Sequence, residues 1–220
     1  MERVGFVHFL HNVEVKHLVK YIIFFILNLF AMVLCYLTNW LVVLFADEDG
    51  ELPFPLSLWQ TWDDSLDVDW FVKETVPSVF RYDFDSKYTR YESSSDLLRP
   101  YGRTRMYSHF KEGATMTIFE RLKRYVCRVL WLYRNCGYGF AFWLFGVNVY
   151  STNMRYTENT DGFKYGYDKS KEWYSRPFIY KNERAFCKRI RWCILIGWKI
   201  DEGLGYHRAM IANRIAVRFL

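Results

Sequence analysis

The sequence predicts an α+β protein. We expect a transmembrane or membrane-associated helix near the N-terminus, central helices and a small antiparallel sheet at the C-terminus. Three patterns support this: a long uncharged apolar run, a basic amphipathic stretch and two segments in which apolar residues alternate with other residues. We divide the chain into an amphipathic lead-in and anchor (1–49), an acidic and aromatic loop-rich region (50–120), and a basic helix followed by the sheet (121–220).

The anchor is the uncharged run Tyr21 to Ala46. A membrane-spanning helix needs roughly 20 mostly apolar residues, and this run is longer and contains neither Pro nor Gly. A cleaved signal peptide would be shorter and would end in small residues, whereas this run ends in Asp47-Glu48-Asp49. The alternatives are a buried core helix and a bend near Thr38-Asn39 that would leave the last turns at the membrane interface.

The orientation of the anchor stays open. Basic residues precede it and only acidic ones follow it until Lys73, which favours a cytoplasmic N-terminus. Five cysteines, without a CxxC pair, favour reduced thiols and a cytoplasmic body. A monotopic arrangement, with the whole chain on one side of the membrane, would satisfy both observations. The amphipathic lead-in is expected over residues 2–20.

Charge is distributed unevenly along the 220 residues, whose formal net charge is +6. The first half is mildly acidic and the second half is clearly basic. A basic half is typical of proteins that bind anionic lipid, nucleic acid or an acidic protein, and also of an ordinary solvated surface.

The densest local motif runs from Trp59 to Phe71 and places four aspartates among three tryptophans. Carboxylates at this spacing are candidate ligands of a divalent cation such as Ca²⁺ or Mg²⁺. The loop lacks the central Gly and final Glu of an EF-hand, and helix capping or a solvated turn is the favoured explanation of the motif. The candidate metal ligands are Asp63, Asp64, Asp67 and Asp69. A divalent cation is the one cofactor that they imply.

Glu120 to Arg134 has the spacing of a basic amphipathic helix, which is typical of a membrane surface or of an ordinary surface helix. Together with the tryptophans it predicts a set of membrane-interface residues: Trp40, Trp59, Trp62, Arg121, Arg124, Arg128 and Trp131. Residues 73–111 are polar and tyrosine-rich and are predicted to form loops. The uncharged segment 135–150 is predicted to be re-entrant, interfacial, or a buried helix leading into a strand.

Two C-terminal runs alternate with period two, 189–200 and 209–219, and predict an antiparallel pair of strands. Further strands are expected within 147–156 and 163–167. Basic residues on the outer face raise the possibility of nucleic-acid binding. The tryptophans fall on the opposite, apolar face, so we expect a lipid bilayer and a protein partner in place of nucleic acid.

Several short segments of the sequence resemble an uncharacterised family of small, membrane-associated proteins encoded by tailed bacteriophages. They are Leu44-Phe45-Ala46-Asp47, Leu52-Pro53, the segment from Trp59 to Asp67, the segment from Arg128 to Asn135, Tyr138-Gly139-Phe140-Ala141 and Gly197-Trp198-Lys199. The resemblance implies a setting, the inner membrane of an infected bacterium or the virion, and assigns no activity or catalytic residue.

The sequence therefore favours a non-catalytic phage accessory protein that is anchored in the host envelope and acts by interaction. A metal-dependent enzyme acting on phosphate-bearing substrates at the membrane is one alternative. A structural component of the virion is another.

Overall fold

The computed structural model describes residues 15–93, 105–148, 154–158, 163–168, 178–187, 190–199 and 208–219. The chain divides into two compact units, one built from 1–28 and 144–220 and the other from 29–143. Most of the predicted lead-in helix, and the predicted loop around Ser94 and Pro100, lie outside the described residues. The predicted boundary between residues 120 and 121 falls inside the second unit.

The predicted anchor forms helix α1, Val15–Val42, which is followed by a 3-10 turn, Val43–Phe45. The helix continues through Thr38 and Asn39 without a break, so the alternative of an interfacial bend there is wrong. The Thr38 hydroxyl donates to the carbonyl oxygen of Leu34 at 2.6 Å, which satisfies the hydroxyl inside the helix.

The second unit is held together by one apolar core. Around it lie short turns (Leu56–Leu58, Phe71–Thr75 and Ser78–Phe80), a one-turn helix α2 (Phe84–Lys87) and helix α3 (Ile118–Arg134). Buried side chains from both long helices meet the short elements there. The core consists of Val42, Val43, Leu52, Leu66, Val68, Phe71, Val72, Val76, Tyr82, Phe84, Tyr88, Met116, Cys127, Trp131 and Leu132.

Two strands lie where a loop was predicted within residues 73–111. Strand β1 (Tyr88–Ser93) pairs antiparallel with strand β2 (Arg105–Phe110), from Tyr88 opposite Phe110 to Ser93 opposite Arg105. The prediction failed because a half-buried strand is recognised by apolar residues at every second position. Here Arg90 and Arg105 lie on opposite faces of the hairpin, and both are largely buried in ion pairs with acidic side chains.

Helix α3 confirms the predicted amphipathic helix and begins two residues earlier than expected. Thr117 caps it: the hydroxyl accepts from the amide of Glu120 at 3.2 Å, and the Glu120 carboxylate accepts from the amide of Thr117 at 2.8 Å. This capping box satisfies amide groups that the first helical turn leaves without partners. After α3, a π-helical turn at Phe140–Leu144 is largely buried, so the described part of this segment, 135–148, takes the form of a buried helix leading into a strand.

The C-terminal sheet has six strands in the order β3-β8-β7-β6-β5-β4, and all of the neighbours are antiparallel. The strands are β3 Val147–Asn148, β4 Met154–Glu158, β5 Phe163–Asp168, β6 Phe178–Cys187, β7 Ile190–Lys199 and β8 Arg208–Phe219. The predicted pair is confirmed as β7 and β8, in register from Ile190 opposite Phe219 to Lys199 opposite Met210. The alternation did not reveal β6, whose sequence FIYKNERAFC mixes polar and apolar residues.

Within the first unit, the start of α1 packs on residues near the sheet. The rings of Tyr21 and Trp198 meet edge to face with centroids 5.3 Å apart, and Trp198 is buried, as the alternation predicts. The Trp198 indole donates to the carbonyl oxygen of Phe145 at 3.2 Å. A buried indole N–H thereby has its partner.

Candidate functional site

One side of α1 is an exposed apolar stripe, which we call the α1 stripe. Its members recur every three or four residues, the spacing of one helix face. Between 44% and 75% of each side chain is exposed, although all are apolar. The stripe comprises Val15, Val19, Ile22, Ile23, Ile26, Phe30, Val33, Leu34, Leu37 and Leu44.

The opposite side of α1 contains the polar side chains of the apolar run. Asn28 and Asn39 are 2% and 0% exposed. The Asn39 amide donates to the Cys136 sulfur at 3.8 Å, and the Trp59 indole donates to the Thr38 hydroxyl at 2.9 Å. Polar groups within a membrane are costly unless they face protein, and these polar side chains do.

One helix of the described residues, Leu18–Phe45, is long and apolar enough to cross a membrane by length and composition. The most apolar 18-residue stretch of this helix has a mean hydropathy of 2.4, and only 22% of that stretch is buried. The core helix of a soluble protein would be mostly buried. The exposed apolar side therefore points to membrane association of this helix.

The predicted interface residues on helix α3 fall into an exposed group and a buried group. Arg121 is exposed and Arg124 is partly exposed, with its guanidinium donating to the Tyr88 hydroxyl at 2.9 Å. Arg128 and Trp131 are each only 4% exposed. Both point into the second unit, where Trp131 packs against Phe71 and Arg128 has a buried carboxylate partner, so their burial does not favour the predicted interface role.

The three predicted interface tryptophans also differ. Trp40 is 52% exposed, and its indole donates to the carbonyl oxygen of Leu37 at 2.9 Å. Trp59 and Trp62 are partly buried and pack on Phe140 and Phe142, with centroids 4.9 Å and 4.8 Å apart. Of these three, Trp40 fits the prediction best, since it presents an exposed ring beside the α1 stripe.

The acidic motif is the centre of a charged cluster inside the second unit. Arg128 donates to both carboxylate oxygens of Asp67, at 2.6 Å and 3.1 Å, and to the carbonyl oxygen of Asp47 at 3.0 Å. The Tyr82 hydroxyl donates to the same carboxylate at 3.2 Å. Asp67 is 1% exposed, so this is a fully buried pair with several further hydrogen bonds, as a buried charge requires.

Asp64 and Asp69 of the motif are also bound to arginine. The Arg90 guanidinium pairs with Asp64 at 2.7 Å and also with Asp69. Asp63 contributes its backbone: its carbonyl oxygen accepts from the amide of Met106 at 3.1 Å. The acidic segment therefore joins the edge of the β1–β2 hairpin through both side-chain and backbone bonds.

A second pair lies next to this cluster. Arg105 on β2 pairs with Glu51 at 2.7 Å, and the buried Gln60 amide donates to Glu51 at 3.1 Å and to the carbonyl oxygen of Asp64 at 3.1 Å. Burial raises the pKa of Glu51 to about 7 and that of Asp64 to about 7, although Arg105 and Arg90 partly offset this effect. Both carboxylates consequently titrate near neutral pH.

Tyrosine and cysteine side chains around Asp67 stay uncharged. Burial and the nearby Asp67 carboxylate raise the pKa of Tyr82, and burial raises the pKa of Cys127 to about 12. The proximity of Asp67 raises the pKa of Arg128 against the opposing effect of burial. A neutral shell around one buried ion pair suits a structural role.

The geometry does not gather the predicted metal ligands around a common point. Asp67 faces Arg128, whereas Asp64 and Asp69 face Arg90. Among the described residues no group of three or more His, Cys, Asp or Glu side chains is placed to hold a metal ion. The divalent-cation site therefore stays a prediction that this arrangement does not support.

Sequence reasoning missed Glu51, Gln60, Arg90 and Arg105, which complete the charged cluster. The one sequence signal for this cluster is Gly50. In the structure its φ is +78°, and a Cβ there would lie 2.6 Å from a carboxylate oxygen of Asp67. A glycine at such a position allows the backbone to approach closely. The sequence contains this glycine but gives no indication of which carboxylate it approaches.

Comparison with known proteins identifies a family but no activity. No curated protein and no solved structure matches the chain significantly. The match to a family extends over residues 13–218 and so includes α1, the acidic motif, α3 and the sheet. The chain belongs to the family of unknown function DUF7338.

Proposed function

We propose that this chain is a membrane-anchored accessory protein of tailed bacteriophages, which acts by binding a protein partner at the inner membrane of the host and catalyses no reaction. One observation carries the proposal: the α1 stripe is apolar and exposed, while the polar side chains Asn28 and Asn39 of the same helix are buried. The phage setting rests on the resemblance of the sequence motifs.

The acidic cluster supports a non-catalytic role. Catalytic carboxylates and metal ligands need free oxygen atoms directed at a substrate or an ion. The carboxylates of Asp64, Asp67 and Asp69 instead face Arg90 and Arg128. These pairs join the segment after the anchor to a hairpin and to α3, so the cluster serves to hold the second unit together.

Membrane attachment is tested by fractionation of cells that express the full-length protein, with an alkaline carbonate wash. Deletion of 1–49 is unsuitable because it would also remove the core residues Val42 and Val43. We therefore choose Phe30→Asp with Leu37→Asp, two stripe positions that are 70% and 68% exposed. This variant is expected to lose most of its membrane-bound fraction while retaining its fold.

The matched control is Phe54→Asp with Val79→Asp, which changes two apolar residues that are 84% and 65% exposed but lie outside α1. It is expected to stay in the membrane fraction. Release of both variants to the same extent, or of neither, would contradict attachment through the α1 stripe. A partner is then sought by cross-linking in isolated membranes, and the stripe variant should lose it.

The two alternatives have tests of their own. A metal-dependent enzyme requires saturable binding of Mg²⁺, Mn²⁺ or Ca²⁺ in calorimetry, and this binding must disappear in Asp67→Asn with Asp69→Asn. A virion component must be present in purified phage particles. Neither outcome is expected if the chain acts at the host membrane.

A further inference from the structure

The α1 stripe is longer than a membrane is thick. At 1.5 Å per residue, the helix and turn from Val15 to Phe45 extend about 45 Å. The hydrocarbon core of a bilayer is only about 30 Å thick. Exposed apolar residues occur at both ends of this length, Val15 at 75% and Leu44 at 62% exposure. A helix that crosses the bilayer would leave part of this stripe in water or would have to tilt strongly.

Helix α3 runs antiparallel along the second half of α1. The Tyr125 hydroxyl donates to the carbonyl oxygen of Trp40 at 2.7 Å, and the Tyr133 hydroxyl donates to that of Tyr36 at 3.0 Å. One turn further, the Cys136 thiol donates to the carbonyl oxygen of Met32 at 3.5 Å. The C-terminal end of α3 therefore lies beside the middle of the apolar run.

Charged groups lie beside the C-terminal end of α3, at the same position along the α1 axis. Arg134, next to Tyr133, is exposed; its guanidinium lies 4.7 Å from the ring centroid of Trp70 and donates to the Thr75 hydroxyl at 3.4 Å. Lys73 and Glu74 beside that threonine are also exposed. If α1 crossed the bilayer with the middle of the apolar run at the bilayer centre, Arg134 would sit at the depth of the hydrocarbon core. A charged side chain there costs on the order of 3 kcal/mol or more.

The exposed side of α3 fits a membrane surface. Phe119, Leu122 and Leu130 are 74%, 59% and 36% exposed, and their spacing places them on one side of the helix. This side is adjacent to the one through which Tyr125 and Tyr133 reach α1. An exposed apolar side of this kind is typical of helices that lie in the interface of a membrane.

We propose that α1 lies in the plane of the membrane, embedded in one leaflet, and does not cross the bilayer. Its stripe enters the acyl region together with Phe119, Leu122 and Leu130 of α3. Arg134 and its polar neighbours then remain in water. The inference rests on the proposed membrane attachment and adds that both ends of α1 lie on the same side.

Sidedness is the first test. Glu48→Cys places an exposed thiol after the helix, and a cysteine-bearing tag fused before Met1 places another ahead of it. Each protein is labelled with a membrane-impermeant maleimide in sealed right-side-out and inverted vesicles, and the protein without an added cysteine gives the background. Both thiols should react in the same vesicle type. Reaction in opposite vesicle types would overturn the proposal while leaving membrane attachment intact.

Depth is the second test. Nitroxide labels at Ile23, Phe30, Leu37 and Leu44 are measured by electron paramagnetic resonance in phosphatidylethanolamine vesicles with a minority of phosphatidylglycerol. All four should be more accessible to oxygen than to a polar nickel chelate, at one similar shallow depth; a profile deepest near the middle positions would contradict the in-plane arrangement. A label at Val79 should remain in water. Equal exposure of all labels to the polar reagent, with protein free of the vesicles, would reject the proposed membrane attachment itself.

Discussion

Arg128 of α3 and Asp67 of the acidic segment form a buried ion pair, with Nη2 2.6 Å from Oδ2 and side chains that are 5% and 0% exposed. The pair joins two segments that are 61 residues apart in the sequence. Removal of one member would leave the other charge buried without a counterion. The pair therefore has to be tested both by single and by paired substitution.

Asp67→Asn is expected to lower the free energy of unfolding by about 3–5 kcal/mol, because the Arg128 charge stays buried. The control is Asp85→Asn, which breaks the pair with Lys73. This pair lies at the surface: the Lys73 side chain is 46% exposed and that of Asp85 is 72% exposed. Such a surface pair contributes about 0–1 kcal/mol. Denaturant unfolding in detergent measures both. Equal losses in the two variants would show that the buried pair has no special role.

The paired substitution Asp67→Leu with Arg128→Met removes both charges at once. It should recover part of the stability lost in Asp67→Asn, since apolar residues of similar volume avoid the cost of an unpaired buried charge. A double variant less stable than the single one would mean that the remaining bonds to Tyr82 and to the carbonyl oxygen of Asp47 dominate.

Gly50→Ala is expected to destabilise the protein more than Gly113→Ala. Both glycines have positive φ, +78° and +76°, so alanine introduces backbone strain of about 1–2 kcal/mol at either position. A Cβ at Gly50 would also lie 2.6 Å from the Asp67 carboxylate, whereas nothing lies within 4 Å at Gly113. The difference in melting temperature between the two variants measures the effect of this contact, because the backbone strain is common to both. If the two glycines respond alike, the close approach of Gly50 to Asp67 is unimportant.

Stability should fall as the pH rises from about 4 to about 7. Burial raises the folded-state pKa of Glu51 to about 7 from 4.5 and that of Asp64 to about 7 from 3.8. Within this window the unfolded chain has lost protons that the folded chain keeps, so rising pH favours unfolding. Glu51→Gln and Asp64→Asn should each flatten the slope of melting temperature against pH. A slope that rises in this window would show that Arg105 and Arg90 outweigh burial.

Arg90→Met is expected to loosen the hairpin. Arg90 is the β1 residue that binds both Asp64 and Asp69, and bonds to charged groups contribute about 1.5–3 kcal/mol each. Amide hydrogen exchange should become faster in β1, in β2 and in the acidic segment. Arg121→Met, which changes an exposed arginine of α3, should leave exchange there unchanged. Faster exchange throughout the second unit would instead indicate general destabilisation.

Local patterns predicted the elements that follow a regular period. The charge-free run after Lys20 predicted α1, the spacing after Glu120 predicted α3, and the alternation after Arg189 predicted the β7–β8 pair. These elements are recognisable because helices and strands repeat their buried face every 3.6 or every two residues. The β1–β2 hairpin was missed because charged residues, Arg90 on one face and Arg105 on the other, are largely buried in it, so neither face shows a clean apolar alternation.

The sequence by itself determined that this chain has one long apolar helix, a basic amphipathic helix, an acidic motif and an antiparallel sheet. Only the tertiary structure decided which side of α1 is exposed, and that Arg128 and Trp131 are buried inside the second unit. It also decided that Asp64, Asp67 and Asp69 face arginines. The physical reason is that partners such as Asp67 and Arg128 are brought together by long-range packing, and neither residue type nor spacing tells whether a charge meets water, lipid or an opposite charge.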